Sequence, residues 1–373
     1  MRSLPWVPAT TSSRAGPLVP FWPMPLFSPC HLRQPGRSEA ATAAAVMAIP
    51  PALVAAARCG WRWQWLQLMG GLGPADAEGN YVRPASPFAQ RPALPAAAGE
   101  PGGHLLIVGR SCPWAHRAWL TWRLRGLADT IELVVAEPDP AAGRWCFAEP
   151  LLGCRTLQEL YRRAGADPAQ RATVPVLLES ASGRIVVGES ARLMELLNAW
   201  PAPPEAPDLD PAEPSALAAA IADWRQRFQH AVNDGVYRCG FARHQAAYDR
   251  AEAALFAALE AAEAALAAPG AGPWLCGEAL SLADVQLFPT LIRLELVYAP
   301  LFGVSRRPLW QFPALWQWRR RFFALPGVAD CCFAEAWRAD YFGALFPLHP
   351  SGIVPAGPDL ATLVNGHPGV PQP

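Results

Sequence analysis

From His104 onward, short unbroken apolar runs alternate with apolar stripes at helical spacing, and that alternation predicts the elements. His104-Leu-Leu-Ile-Val-Gly109 reads as a buried strand, which Ser111-Cys112-Pro113 hands over to a helix reaching about residue 125. Residues 131–136 form a second strand, 156–164 a second helix and 173–178 a third strand. A Ser182-Gly183 turn leads into a fourth strand over 184–187, and 190–198 is a third helix. The order is βαβ followed by ββα.

That order is the thioredoxin-like topology. Residues 201–214 hold six prolines in 14 positions and read as a linker or crossover. Beyond them the periodicity is helical throughout, over 216–230, 242–268, 281–298 and 314–325. Leu255, Leu259 and Leu266 form a core stripe rather than a cofactor box. Ser281-Leu-Ala-Asp284 reads as a capping box, which gives Asp284 a structural role. The expected fold is thus an α/β thioredoxin-like domain over 81–200, an all-α domain over 215–345 and a tail over 346–373.

Residues 1–80 form an N-terminal extension. Its first 46 residues are rich in Pro, Ser, Arg and Ala, with Glu39 the one acid, and read as a disordered tail, a targeting peptide or an upstream-extended start, with Met47 the favoured true start. The apolar run over 40–57 is broken by Pro50-Pro51 and is too short to span a bilayer, so no membrane segment is expected. The alternation Trp61, Trp63, Trp65 reads as a packing strip.

The chain has 373 residues, 52% of them apolar, and its 31 basic residues balance 31 acidic ones. A net charge of zero supplies no field for nucleic acid or an anionic membrane. Every basic residue is arginine, which excludes Schiff-base and P-loop lysine chemistry. Nine cysteines, odd in number and without C-x-x-C spacing, fit neither a disulfide framework nor a metal site. A reducing, cytoplasmic setting is therefore expected. Cys30, Cys59, Cys146, Cys154, Cys276, Cys331 and Cys332 read as small buried hydrophobes.

Cys112 differs from them by its position at the hand-over from strand to helix. Pro113 suits the first helical position, and the free amides and partial positive charge of a helix N-terminus stabilise a thiolate. Cys112 is therefore expected to have a lowered pKa, with Arg110 and Arg117 acting the same way. Ala115 stands where a dithiol oxidoreductase carries its second cysteine, so a mixed disulfide on Cys112 needs an external thiol such as glutathione. His116 lies one position too far round the helix to be an assured base and reads equally as a packing residue. Pro175, at the start of a central strand, is expected to be cis, leaving the Val174 backbone free to pair with a peptide-like ligand. Glu189-Ser190 caps the third helix, where a γ-glutamyl carboxylate could bind.

With these residues in place the chain resembles the glutathione transferases, and more narrowly the glutathionyl-hydroquinone reductases of the Xi class. The matching residues run from Tyr81 to Pro358. They include Arg83, Ser86 and Phe88, then Cys112-Pro-Trp-Ala-His-Arg117, Arg171-Ala-Thr-Val-Pro-Val176 and Gly188-Glu-Ser190. Asn233-Asp-Gly-Val-Tyr-Arg238, Gly240-Phe-Ala242, Leu291-Ile-Arg-Leu-Glu-Leu-Val-Tyr298 and Pro350-Ser-Gly-Ile-Val-Pro355 continue the match, with Gly357-Pro358 closing it. The resemblance implies that Cys112 takes glutathione from a glutathionyl-hydroquinone and that a second glutathione releases it as glutathione disulfide. It places glutathione on Trp145, Arg171, Val174, Pro175, Glu189 and Ser190, and the aromatic substrate on Tyr237 and Tyr298. It also implies a homodimer. Tyr237 fits on other grounds, because Asn233-Asp234-Gly235 interrupts a helix and re-aims the side chains just beyond the break. The family usually has asparagine where this chain has Gly188, and a different segment after Tyr298. An omega-type thioltransferase or dehydroascorbate reductase needs the same Cys112 without a quinol pocket, and a non-catalytic binding module needs neither.

Overall fold

The computed structural model describes residues 49–90, 102–139, 143–345 and 347–366. The expectations for residues 1–46, Cys30 among them, lie outside the described residues. The chain divides into a unit Met1–Leu53, of which only 49–53 are described, and a unit Val54–Pro373 that holds the sheets, the helical domain and the thiol site.

Helix α1 (Pro51–Leu72) begins at Pro51, the position where a proline's missing N–H costs nothing. The two prolines that break the apolar run therefore start a helix instead of ending one. Trp61 and Trp63 stand out into solvent at 61% and 64% exposure, so within this chain they are no packing strip. Trp65 alone packs inward, beneath the Arg243 guanidinium.

The sheet is built as the apolar runs predict. β1 (His104–Val108), β2 (Ile131–Val135), β6 (Val176–Glu179) and β7 (Arg184–Val187) lie in the order β2-β1-β6-β7, with β1 and β2 parallel and the other pairs antiparallel. Helices α2 (Pro113–Leu124) and α4 (Ser190–Ala199) pack on one another beside it, and α3 (Leu157–Arg163) begins in a capping box closed by Thr156 and Glu159. A second small sheet of β3 (Glu137–Asp139), β4 (Arg144–Leu151) and β5 (Cys154–Thr156) has no counterpart in the periodicity. Pro138 and Pro150 interrupt its strands, and prolines at such edges hide a strand from a hydropathy pattern.

The proline-rich segment is a tethered crossover. Asn198 clamps it through Asp208 Oδ1 at 2.9 Å and the Leu209 amide at 2.8 Å, and Leu209 is wholly buried. Helices α5 (Ser215–Phe228), α6 (Gly235–Gly240), α7 (Gln245–Ala267), α8 (Leu282–Leu291), α9 (Ala299–Phe302), α10 (Pro313–Phe323), α11 (Ala334–Ala344) and α12 (Leu360–Asn365) come after it. Leu255 and Leu259 lie in the core as their spacing requires.

The single helix expected over 281–298 is instead α8 followed by a π-turn over Leu294–Tyr298. Pro289 removes one backbone donor within α8, and the helix ends two residues later. The stretch Leu282–Phe302 is long and apolar enough to cross a bilayer, yet most of it is buried inside the protein.

Asp284 is the structural residue its spacing predicts. Its carboxylate, fully buried, accepts from the Ser281 amide at 3.0 Å and hydroxyl at 2.7 Å, the Leu275 amide at 3.0 Å and Trp318 Nε1 at 2.7 Å. Asp284→Ala strands these buried donors, and chemical unfolding is expected to register a loss of about 3–5 kcal/mol. A loss below about 1 kcal/mol would mean that water replaces the carboxylate without cost.

Candidate active site

Cys112 occupies the N-cap of α2 with extended backbone, and Pro113 is the first helical residue. The preceding Gly109 is required by packing: the Trp145 ring from β4 lies where a side chain at 109 would project. The Cys112 thiol donates to the Val174 carbonyl at 3.5 Å, and the Val174–Pro175 bond is cis as expected. The Val174 carbonyl is thus engaged by the thiol.

The thiol is not lowered in the way its helix N-terminus predicts. Burial pushes it above the ordinary value, outweighing the Ala115 and Trp114 amides and the positive charges of Arg293 and Arg83, which pull it down. Neither arginine expected to assist does so. Arg110 pairs with Glu137 and covers the Phe333 ring. Arg117, fully buried and itself lowered to about 9 by burial, donates to the Ser190 hydroxyl at 2.7 and 3.1 Å and to Gln229 at 2.8 Å. In the resting protein, alkylation of Cys112 by iodoacetamide, followed by peptide mass, should still be climbing at pH 9. A plateau below pH 7 would contradict a thiol dominated by burial.

His116 is a packing residue. Its Nδ1 accepts from Arg293 at 2.8 Å, its Nε2 meets Cys332 Sγ at 3.9 Å, and burial followed by the Arg293 charge hold its pKa well below the usual value. Cys154, Cys331 and Cys332 are buried as expected, and burial lifts Cys331 to about 12. Cys146 and Cys276 are half-buried, and Cys59 departs from the expectation outright, exposed on α1.

Opposite the thiol lies a cluster of tyrosines. A π-turn over Gln229–Asn233 separates α5 from α6, and Asn233 pins it by donating to the Gln286 carbonyl at 3.1 Å and to Thr290 Oγ1 at 2.7 Å. This break aims Tyr237 onto the face of Trp114, two residues from Cys112, with ring centroids 5.9 Å apart. The Tyr237 and Tyr341 hydroxyls share a hydrogen bond of 2.5 Å, and those of Tyr298 and Tyr341 one of 3.3 Å. Burial pushes Tyr237 and Tyr341 well above the usual tyrosine value and raises Tyr298 too, so all three are protonated at neutral pH. Tyr341 is the member that sequence reasoning missed. Its signal was present in Phe333, Trp337 and Tyr341, spaced by four from the cap of α11 onward.

The expected glutathione residues fall into two groups. Glu189 caps α4, accepting from the Ala191 amide at 3.4 Å, and pairs with Arg83 and Arg117 at 3.6 Å each. Arg83 stacks 3.7 Å over Trp114 and pairs with Asp234 at 3.2 Å, which links Glu189 and Ser190 to the Cys112 turn. Trp145, Val174 and Pro175 lie on the sulfur's own side through Gly109 and the thiol contact. Arg171 is exposed, near enough to Tyr81 for its charge to bear on that hydroxyl. Among the described residues no three His, Cys, Asp or Glu side chains gather as a metal site would require.

The family models for the glutathione S-transferase N-terminal domain and C-terminal domain match residues 111–200 and 245–321. A glutathionyl-hydroquinone reductase, PcpF of Sphingobium chlorophenolicum, is 31% identical over 313 residues, spanning 80% of this chain and 94% of that protein. The crystal structure of the glutathione transferase Xi from Phanerochaete chrysosporium superposes with a TM-score of 0.70 at 31% identity, covering 76% of this chain and 94% of that one. The glutathione-bound structure of YqjG, a glutathione transferase homolog from Escherichia coli K-12, does so with a TM-score of 0.63 at 29% identity, covering 79% and 94%. With a thioredoxin-like sheet, a helical domain and a thiol at a helix N-terminus, the chain belongs to the Xi-class glutathione transferases, the family of glutathionyl-hydroquinone reductases, and is an enzyme.

Proposed function

We propose that this enzyme removes glutathione from glutathionyl-hydroquinones through a mixed disulfide on Cys112. The observation that carries the reading is the stack of Tyr237 on Trp114, which sets three linked tyrosine hydroxyls beside the only described cysteine at a helix N-terminus. The Cys112 sulfur attacks the glutathione sulfur, forming the S–S bond while the bond from sulfur to the ring carbon breaks. The electron pair of that bond stays on the carbon, which takes a proton to give the hydroquinone. The proton Cys112 gives up equals the proton the carbon takes, and the tyrosine hydroxyls, held protonated by burial, are suited to deliver it. A second glutathione attacks the mixed disulfide, leaves as glutathione disulfide and returns Cys112.

Glutathione is held in this reading by the backbone of Val174, with Trp145, Arg171 and Pro175 around it and its γ-glutamyl end at Glu189 and Ser190. Arg83 and Arg117 converge there on the Glu189 carboxylate, so an incoming γ-glutamyl carboxylate would share these two guanidinium groups with it. Incubated with a glutathionylated hydroquinone and excess glutathione, the protein should release hydroquinone and glutathione disulfide in equal amounts. Turnover confined to small mixed disulfides would instead identify a general thioltransferase.

A further inference from the structure

Arg293 is the one buried cation at this site that thiol transfer, as proposed, does not use. It sits in the break between α8 and the π-turn and is wholly buried. Its Nη1 donates to His116 Nδ1 at 2.8 Å and to the Pro289 carbonyl at 2.9 Å, and its guanidinium carbon lies 3.9 Å over the Trp337 ring. Its Nε and Nη2 have no hydrogen-bond partner, and among the described residues no carboxylate comes within ion-pair distance. A buried guanidinium with neither counter-ion nor full hydrogen bonding is costly and calls for an anion.

The contacts of Arg293 bracket the Cys112 turn. His116, which holds one side, donates its amide to the Cys112 carbonyl at 2.9 Å. Trp337, which covers the face, donates Nε1 to the Arg110 carbonyl at 2.9 Å, two residues before the thiol. Tyr341 is one helical turn beyond Trp337, and the Tyr298 amide donates back to the Arg293 carbonyl at 3.3 Å. The titratable groups that face Arg293 are Cys112 and His116 from α2, Tyr298 from the π-turn, Cys332 from the segment before α11 and Tyr341 from α11. Of these, Cys112 and the tyrosines are the groups that carry negative charge during thiol transfer.

We propose that Arg293 is the internal counter-ion of the thiol-transfer site, a positioning residue that braces the Cys112 turn and whose unpartnered Nε and Nη2 donors stabilise the charge developing on the Cys112 sulfur and the tyrosine cluster. The proposal rests on the thiol-transfer reading of the site. Arg293 offsets part of the burial that disfavours the Cys112 thiolate, and it leaves His116 neutral because it occupies Nδ1 as a donor.

The test is the pH dependence of Cys112 alkylation, read by peptide mass on the full chain. Arg293→Met should move the midpoint up by about one unit, a roughly tenfold loss of thiolate at a given pH below it, and Arg293→Lys by less than half of that. An unchanged midpoint in folded Arg293→Met would overturn the proposal. Should Arg293→Met fail to fold, Cys112→Asp and Cys112→Asn decide the matter with the arginine intact. A fixed anion at 112 should melt higher than its neutral isostere if Arg293 awaits a counter-ion, whereas Cys112→Asp melting below Cys112→Asn would overturn it. Because neither readout uses a quinol, a shifted midpoint without hydroquinone release would defeat the substrate assignment alone, and the converse would defeat the role of Arg293 alone.

Discussion

Cys112→Ser is expected to abolish release of hydroquinone from its glutathione thioether, by ~10³-fold or more, because the hydroxyl is a far weaker nucleophile toward sulfur and forms no disulfide. None of the other described cysteines is placed to stand in. Cys331 is buried with its thiol lifted to about 12, Cys239 likewise, and Cys59 is exposed on α1, outside any helix N-terminus. The substitution should leave the melting temperature nearly unchanged, since the thiol makes a single long hydrogen bond, to Val174 at 3.5 Å. Steady-state turnover and thermal unfolding on the same preparation separate loss of chemistry from loss of fold. Residual turnover above about a tenth of wild type would place the nucleophile elsewhere.

Tyr237→Phe and Tyr341→Phe are each expected to lower hydroquinone release by about 10²–10³-fold while sparing exchange with small glutathione mixed disulfides. The distinction arises from where the proton goes. Release of a ring carbon demands a proton delivered to carbon, whereas a thiolate leaves a mixed disulfide without one. The hydroxyls of Tyr237 and Tyr341 are joined by a hydrogen bond of 2.5 Å, so removing either breaks the direct link between them. The double variant should therefore fall little below the single ones, as groups acting as a unit do. Equal losses on quinol thioethers and on mixed disulfides would mean that the tyrosines serve binding rather than proton delivery.

Much of the fold is written locally, and those parts are legible. The strands 104–108, 131–135 and 184–187 are short runs rich in apolar residues, and Ser281 and Asp284 signal a helix start through a contact only three residues apart. Cys112, Pro113 and the cis Pro175 are legible for the same reason. The features that escape are set by distant neighbours. Tyr341 joins the site through a partner 104 residues away, and Arg293 through His116 at a separation of 177. The thiol pKa shows the same limit: the helix N-terminus can be read from a turn, but the burial that overrides it is imposed by the rest of the fold. Arg117, close in sequence to Cys112, is drawn away by Ser190 and Glu189, so proximity along the chain misjudges its charge.

The most direct test of thiol transfer is a single turnover without added glutathione, in which the protein is mixed with an equal amount of a glutathionylated hydroquinone and its intact mass and peptides are read. Transfer through Cys112 predicts one glutathione on Cys112, reversed by thiol reductant, with one hydroquinone released for each. A protein of unchanged mass beside intact substrate, or an adduct in which the ring rather than glutathione is bound to Cys112, would contradict it.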